Sequence, residues 1–538
     1  MCQKNAGKNI IVRLFLIGLI FTAQFFMAAD PVSAARKHEN AGIFTFNNVV
    51  ELAEKSAQKP YVENPGEGLP DLLRDISYNQ WRDIRYRKEK ALWYNENIPF
   101  KIEFFHPGFL YNRPVKINIV DDSKVLPFNY SPELFDYGKN DFGERIPGGI
   151  GFAGLRIRYP INTRKYLDEF AVFLGATYLR AVAKEQLYGL SARGLAVNTA
   201  EANGEEFPVF SEFWIVKPAR SDRSIVLYAL LDSYSMTGAY KYVITPGEIT
   251  RMAVDSVIFP REKIQKIGIA PITSMFFYGE NTYSQRFKDF RPEVHDSDGL
   301  SIVSETGEWI WRPLTNPKHL LVNAFLVGSP EAFGLFQRDL DFDHYQDLET
   351  WYERRPSLWV TPTGNWGDGH LELVQIPTNT EFNDNIVAYW VLDTSPEPGV
   401  PLRFSYILEW CSSRDKIPPG AYVTATRVIN YSKKHVMRFV IDFEGAKISS
   451  FPPDSAITAE ISVNEPYRIW DRHVQKNTIT GGWRVLFDIG LETGFLEELK
   501  AILPEKRPVG ELRLFLKYGD RALSETWTYT VQPAMIEQ

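Results

Sequence analysis

Two stretches of the chain gather acids, amides, guanidinium groups and large aromatic rings into short runs. The first runs from Tyr278-Gly-Glu-Asn through Glu293-Val-His-Asp-Ser-Asp-Gly-Leu to Glu308-Trp-Ile-Trp-Arg. The second runs from Arg354-Arg-Pro-Ser-Leu-Trp-Val through Gly364-Asn-Trp-Gly-Asp-Gly-His to Glu381-Phe-Asn-Asp-Asn-Ile-Val-Ala-Tyr-Trp. Such mixtures suit a sugar polymer: hydroxyls need paired donors and acceptors, and the flat apolar faces of the sugar need rings to lie on. Tyr278 and Trp366 are the rings singled out here as sugar contacts. Hydrolysis of a glycosidic bond needs two acids, one protonated to help the leaving oxygen and one to activate water or attack the anomeric carbon. Residue type alone does not select the pair, because an Asp in a loop is usually a turn or cap residue. Asp298 and Asp368 precede Gly and read as turn formers. Asp296 and Asp384 stand out more, and Asp384 abuts the strand-like run Asn385–Trp390, a rigid element that can hold a reacting group in place.

Other chemistries lack their motifs. There is no Gly-Lys-Ser/Thr phosphate loop, no Gly-x-Gly-x-x-Gly and no His-Glu-x-x-His. Asp296-Ser-Asp298-Gly299 opens like a calcium loop, but the position that should bring a bidentate Glu is Gly307. Gly189-Leu-Ser-Ala-Arg193 has Arg where a nucleophile elbow needs Gly. The eight His have no ligand spacing, so neither a metal nor another cofactor is expected. The two Cys are Cys2 and Cys411, and Cys411 reads as structural.

The elements that must position these groups are mainly strands. Lys101–Phe105, Val115–Val120, Leu155–Tyr159 and Phe213–Val216 alternate or run apolar between turn residues, without helices between them, which favours antiparallel sandwiches over a parallel α/β sheet. Helical patterns are few: Val49–Lys59, capped by Asn47 or Asn48, then Glu331–Leu348 and Leu491–Leu503. Cys411–Gly420 has a linker composition, and the five strand-like runs that follow it are spaced as in an immunoglobulin-like sandwich, without that fold's cysteine pair. The expected layout is a secretory signal over 1–34, a large sandwich over 41–411, a linker over 412–420 and a small sandwich over 421–538. Lys4, Lys8 and Arg13 precede the apolar run Leu14–Ala28, and Val32-Ser-Ala34 offers a cleavage site for Sec-type export, leaving no membrane span. A net charge of −7 without a basic run argues against nucleic acid as a partner.

Seven motifs spread along the chain are similar to those of the periplasmic glucan biosynthesis proteins of types G and D. They are Asp83-Ile-Arg-Tyr, Gly189-Leu-Ser-Ala-Arg-Gly-Leu-Ala, Gly204-Glu-Glu-Phe-Pro, Pro271-Ile-Thr-Ser-Met-Phe, Arg291-Pro-Glu-Val-His-Asp-Ser-Asp-Gly-Leu, Arg355-Pro-Ser-Leu-Trp-Val and Asp384-Asn-Ile-Val-Ala. The resemblance spans about Phe44 to Val531, and the Sec-like signal favours type G. It implies an all-β protein with a mutarotase-like first sandwich and an immunoglobulin-like second one, located in the periplasm. It also implies work on the β-1,2-linked glucose backbone of osmoregulated glucans as an inverting endo-β-1,2-glucanase. In that mechanism Asp384 is the general acid and Asp296 lies on the proton path from the attacking water, while Arg355 and Trp359, in a stretch near the cleft, are substrate contacts. Type G members can be weak hydrolases, so a glucan-binding factor, or one that docks the inner-membrane glucan synthase, is the alternative.

Overall fold

The computed structural model describes residues 44–63, 69–142, 145–282, 289–431, 436–491, 508–532 and 535. The signal segment and nearly all of the helix expected over Leu491–Leu503 lie outside them.

The fold is all-β. A ten-stranded sheet runs, in spatial order, through Lys101–Phe105, Gly154–Tyr159, Asp168–Leu174, Tyr178–Ala181, Ser191–Arg193, Ile267–Ser274, Ile386–Leu392, Gly369–Gln375 and Leu321–Phe325, with Leu195–Val197 also paired to Ile267–Ser274. A fifteen-stranded sheet provides the other layer, its middle formed by Leu402–Cys411, Thr250–Pro260, Met236–Thr245 and Ile225–Asp232. Between the layers lies the first core, which includes Phe173, Phe210, Tyr240, Ile269, Trp390 and Trp410. Ile267–Ser274 is buried on both faces, since Ile269 and Ile272 face that core and Ala196, Val374 and Tyr389 form a cluster of their own. Each aliphatic side chain buried this way contributes roughly 1.5–3 kcal/mol, which is what makes the central strands rigid supports.

The second core draws on Tyr422–Tyr431, Val436–Glu444, Trp483–Leu491 and Tyr467–Lys476, which form a four-stranded sheet, and on Ile457–Val463, Gly510–Tyr518 and Thr526–Val531. These last three strands do not stand apart. Thr526–Val531 pairs in parallel with Trp309–Pro313, in the register Ile310↔Thr526 and Trp311↔Trp527, so one sheet is continuous across both cores. Val303, Trp311, Phe336 and Trp359 from the earlier part of the chain pack into the second core. A buried ion pair ties the same junction. Arg338 donates to both carboxylate oxygens of Glu525 at 2.6 and 2.9 Å and to the Val423 carbonyl at 3.0 Å. Its guanidinium lies 3.6 Å from the ring centroid of Trp311.

The local expectations hold in part. The first helix is Phe46–Ala57, and its cap residue is Thr45, whose backbone N–H donates to Asn48 Oδ1 at 2.7 Å; Asn48 acts from inside the first turn. The expected helix over Glu331–Leu348 is replaced by the strand Ala332–Phe336 and the four-residue helix Phe342–Tyr345. Ala332–Phe336 is buried on both faces, and such a run cannot be told from a buried helix by pattern alone. Cys411 is a buried free thiol whose pKa burial pushes up to about 12, as suits a structural residue.

At the junction Glu280 accepts from the Thr426 backbone N–H and meets Arg427 at 3.2 Å. Burial pushes its carboxyl from 4.5 up to about 8, with Arg427 pulling the other way. A carboxyl whose pKa is raised by folding adds stability below its unfolded pKa and loses it as the pH rises through the folded one. Melting temperature is therefore expected to fall between pH about 4.5 and about 8. Glu280→Gln keeps the acceptor and should flatten that fall; equal slopes in wild type and variant would exclude Glu280 as the cause.

Candidate active site

Three strands meet where the motifs converge. Ile267–Ser274 pairs with Ile386–Leu392 through Ser274↔Ile386 and with Ser191–Arg193 through Thr273↔Ser191. The chain then leaves Ser274 as Met275-Phe276, and both candidate acids are tied to that dipeptide. The Asp296 N–H donates to the Met275 carbonyl at 2.8 Å. Asn385, next to Asp384, accepts from the Phe276 N–H at 2.9 Å and donates to the Phe276 carbonyl at 3.0 Å and to the Ile376 carbonyl at 3.1 Å. A carboxamide suits that position because its oxygen accepts while its NH2 group donates to two carbonyls at once. Ser274 donates to the Ser297 hydroxyl at 2.8 Å, fixing the residue on the far side of Asp296.

The two carboxyls differ in setting. The Asp296 side chain is 7% exposed and paired with the Arg355 guanidinium, whereas that of Asp384 is 26% exposed and lies 3.5 Å from Arg180. Burial pushes the Asp296 carboxyl up, Arg355 pulls it down, and the charge of Asp384 adds to the push. Arg180 is itself held by the Ser191 hydroxyl, 2.6 Å from its Nε. Arg355 lies over the Tyr352 ring, 4.4 Å from its centroid, and against Gly189, where an added Cβ would sit 3.0 Å from the Arg355 Cβ. The Gly189 motif thus gives up a side chain so that Arg355 can reach Asp296.

The remaining expected contacts are placed otherwise. Tyr278 is buried with Met275, Val294, Tyr345 and Tyr352, and its hydroxyl donates to the Arg291 carbonyl at 3.3 Å. Trp359 is 4% exposed in the second core, stacked on Trp309 at 5.7 Å and edge-on to Phe336, so no sugar reaches its face. Trp366 is 3% exposed, donates to the Ser405 carbonyl at 3.1 Å and packs on Phe404 and Tyr406. Asp298 is no turn former either: its Oδ2 accepts from the N–H groups of Arg338 and Asp339 at 3.0 and 2.9 Å.

Three groups at the site were not among the sequence candidates. Arg180 shares a strand face with Tyr178, a Tyr-x-Arg alternation that could have drawn notice. Tyr352 donates to Glu381 at 2.8 Å. Glu381 also meets Arg291 at 2.8 Å, and Arg291 binds Asp289 and Asp347 at 2.7 and 2.9 Å, a cluster that braces the loop leading to Asp384. Glu293, Asp339 and His344 are grouped closely enough to approach a cation, but Asp339 binds His344 at 2.5 Å and Glu293 binds His295 at 2.8 Å.

A family model described as periplasmic glucan biosynthesis protein, MdoG, matches residues 44–531, a span that holds both cores and every residue of the site. The chain belongs to that family. It is 46% identical over 499 residues to a glucans biosynthesis protein G of Ralstonia nicotianae, covering 91% of this chain and 96% of that protein. Membership gives it a role in the biosynthesis of periplasmic glucan and implies a periplasmic location. Among solved structures it is similar to a GH36 α-galactosidase of Geobacillus stearothermophilus at 9% identity and a TM-score of 0.24, over 48% of this chain and 39% of the other. It is also similar to the Slr1438 protein of Synechocystis sp. PCC 6803 at 10% identity and a TM-score of 0.15, over 65% and 99%.

Proposed function

We propose that this periplasmic glucan biosynthesis protein cleaves the β-1,2-linked glucose backbone as an inverting endo-glucanase. The observation that carries the reading is the pair of aspartates held on Met275-Phe276, Asp296 through its own backbone and Asp384 through its neighbour Asn385, one partly exposed and one buried. Asp384, the accessible one, would give a proton to the glycosidic oxygen. Asp296, behind it and held by Arg355, would take a proton from the attacking water, directly or along a relay. Inversion requires room for that water, with carboxyls about 6.5–9.5 Å apart and farther where a relay intervenes. Linear β-1,2-glucan incubated with the purified protein should gain reducing ends whose first-formed anomer is α. Retained β configuration would refute inversion, and no new ends would refute hydrolysis.

Gly189→Ala should press on Arg355 and lower turnover by about ten- to a hundredfold while KM and melting temperature change little. Loss of stability in step with turnover would make Gly189 a packing residue only. A second reading has one observation in its favour: Arg180, 3.5 Å from Asp384, is the wrong neighbour for a resting general acid. A protein that binds glucan and positions it for other enzymes would tolerate that cation; a hydrolase needs the substrate to displace it.

A further inference from the structure

A cleft of about 470 Å³ opens beside the junction of the two cores, lined by Trp309, Pro418, Pro419, Lys447, Phe515 and Arg521 among others. It shares no residue with the paired acids or the groups that hold them, and its volume lies in the range of ligand sites, about 300–1,000 Å³. The acids of its wall are already engaged. Glu308 accepts from Arg513 at 2.5 Å and from the Thr526 hydroxyl, and Glu525 is bound by Arg338 at 2.6 Å. Lys447 and Arg521 have no carboxylate partner among the described residues. The cleft thus presents two free cations in a chain whose net charge is −7, and unmatched charge in a concave site draws ligands of opposite sign.

The backbone fixes where both cations stem from. Arg521 pairs with Tyr518 across a tight turn in which Gly519 takes a φ of +58°. Lys447 lies in the four-residue helix Ala446–Ser449, entered from Gly445 at a φ of +150°. A Cβ on Gly445 would sit 3.0 Å from the Ala421 Cα, so the bare glycine lets this turn close on the segment that follows Pro418-Pro419-Gly420. Trp309 is covered on one side by Trp359, their planes 12° apart, yet it stays half-buried and lines the cleft. Phe515 is half-buried as well. Rings and prolines together offer an apolar platform to the flat face of a sugar.

We infer that this cleft binds a saccharide bearing a phosphate-type anion, with the anion on Lys447 and Arg521 and the sugar on Trp309. A guanidinium meets two phosphate oxygens at once, and an ammonium adds a compact charge. The anion arrives either on a free sugar phosphate or as an ester carried by a glucan chain; the chemistry recognised is the same. The inference goes beyond backbone cleavage and does not require it, since neither acid of that reaction lines the cleft.

The test is calorimetric titration of the full chain at low ionic strength with glucose 1-phosphate, inorganic phosphate, glucose and a linear β-1,2-glucan carrying phosphate esters. A phosphorylated sugar should bind about tenfold more tightly than inorganic phosphate or glucose. Lys447→Gln and Arg521→Gln should each weaken that binding about three- to fivefold and leave the melting temperature unchanged. Lys124→Gln, at an exposed cation that does not line the cleft, should change neither. Binding of the esterified glucan at least as tight as that of glucose 1-phosphate assigns the anion to the chain; weaker binding assigns it to the free sugar phosphate. The inference is overturned if neither phosphorylated probe binds, if inorganic phosphate binds as tightly as they do, or if both cleft variants bind as the wild type does. None of these outcomes depends on whether the protein cleaves glucan.

Discussion

Asp384→Asn is expected to cut glucan turnover by about 10²–10⁴-fold, the range for loss of a positioned proton donor. The fold should not suffer. The carboxyl is partly exposed, and its ionic contact is a long one to Arg180, so the cost in stability should stay under about 1 kcal/mol. The variant keeps the size and shape of the side chain and should bind linear glucan as the wild type does. Reducing-end release and a thermal melt, run side by side, separate the two effects. Turnover within a factor of two of wild type would remove Asp384 from the chemistry.

The largest effect on stability should come from Glu525→Ala. The Glu525 side chain is fully buried and that of Arg338 is 9% exposed, so the substitution strands a guanidinium away from water. Breaking such a pair costs about 3–5 kcal/mol, whereas replacing both partners with apolar residues of like volume is often neutral or better. The double variant Arg338→Met with Glu525→Leu should recover most of the loss, read from the urea midpoint of each protein. If Glu525→Ala costs no more than a surface ion pair does, about 1 kcal/mol at most, the junction between the cores does not depend on this contact.

Much of the layer architecture was legible because its signal is local. Lys101–Phe105, Leu155–Tyr159 and Phe213–Val216 show strand patterns and lie in the strands Lys101–Phe105, Gly154–Tyr159 and Val209–Val216. Asp296 and Asp384 were singled out through motifs that converge in the fold, because Asn385 and the Asp296 backbone share one dipeptide as partner. Trp359 and Trp366 misled for a physical reason: an aromatic ring in a doubly covered strand or a tucked loop has the same sequence surroundings as one lining a cleft. Only the neighbours across the sheet decide, and those are far away in the chain. The parallel pairing of Trp309–Pro313 with Thr526–Val531 was illegible for the same reason, since neither run carries any mark of the other.

That pairing has a kinetic side. Arg312 and Thr528, bonded at 3.0 Å, are 216 residues apart, so Thr526–Val531 is made long after the strand it pairs with. Until it arrives, Trp309–Pro313 presents an unpaired edge with Trp309 and Trp311 beside it, open to any other extended chain. Every molecule passes through this interval before the sheet can close, and closing so long a loop is slow. Chains cut short before Thr526 never leave it. A cell making this protein must therefore shield nascent chains from one another, and truncated forms should be recovered as aggregates or degradation products, not as a stable first half.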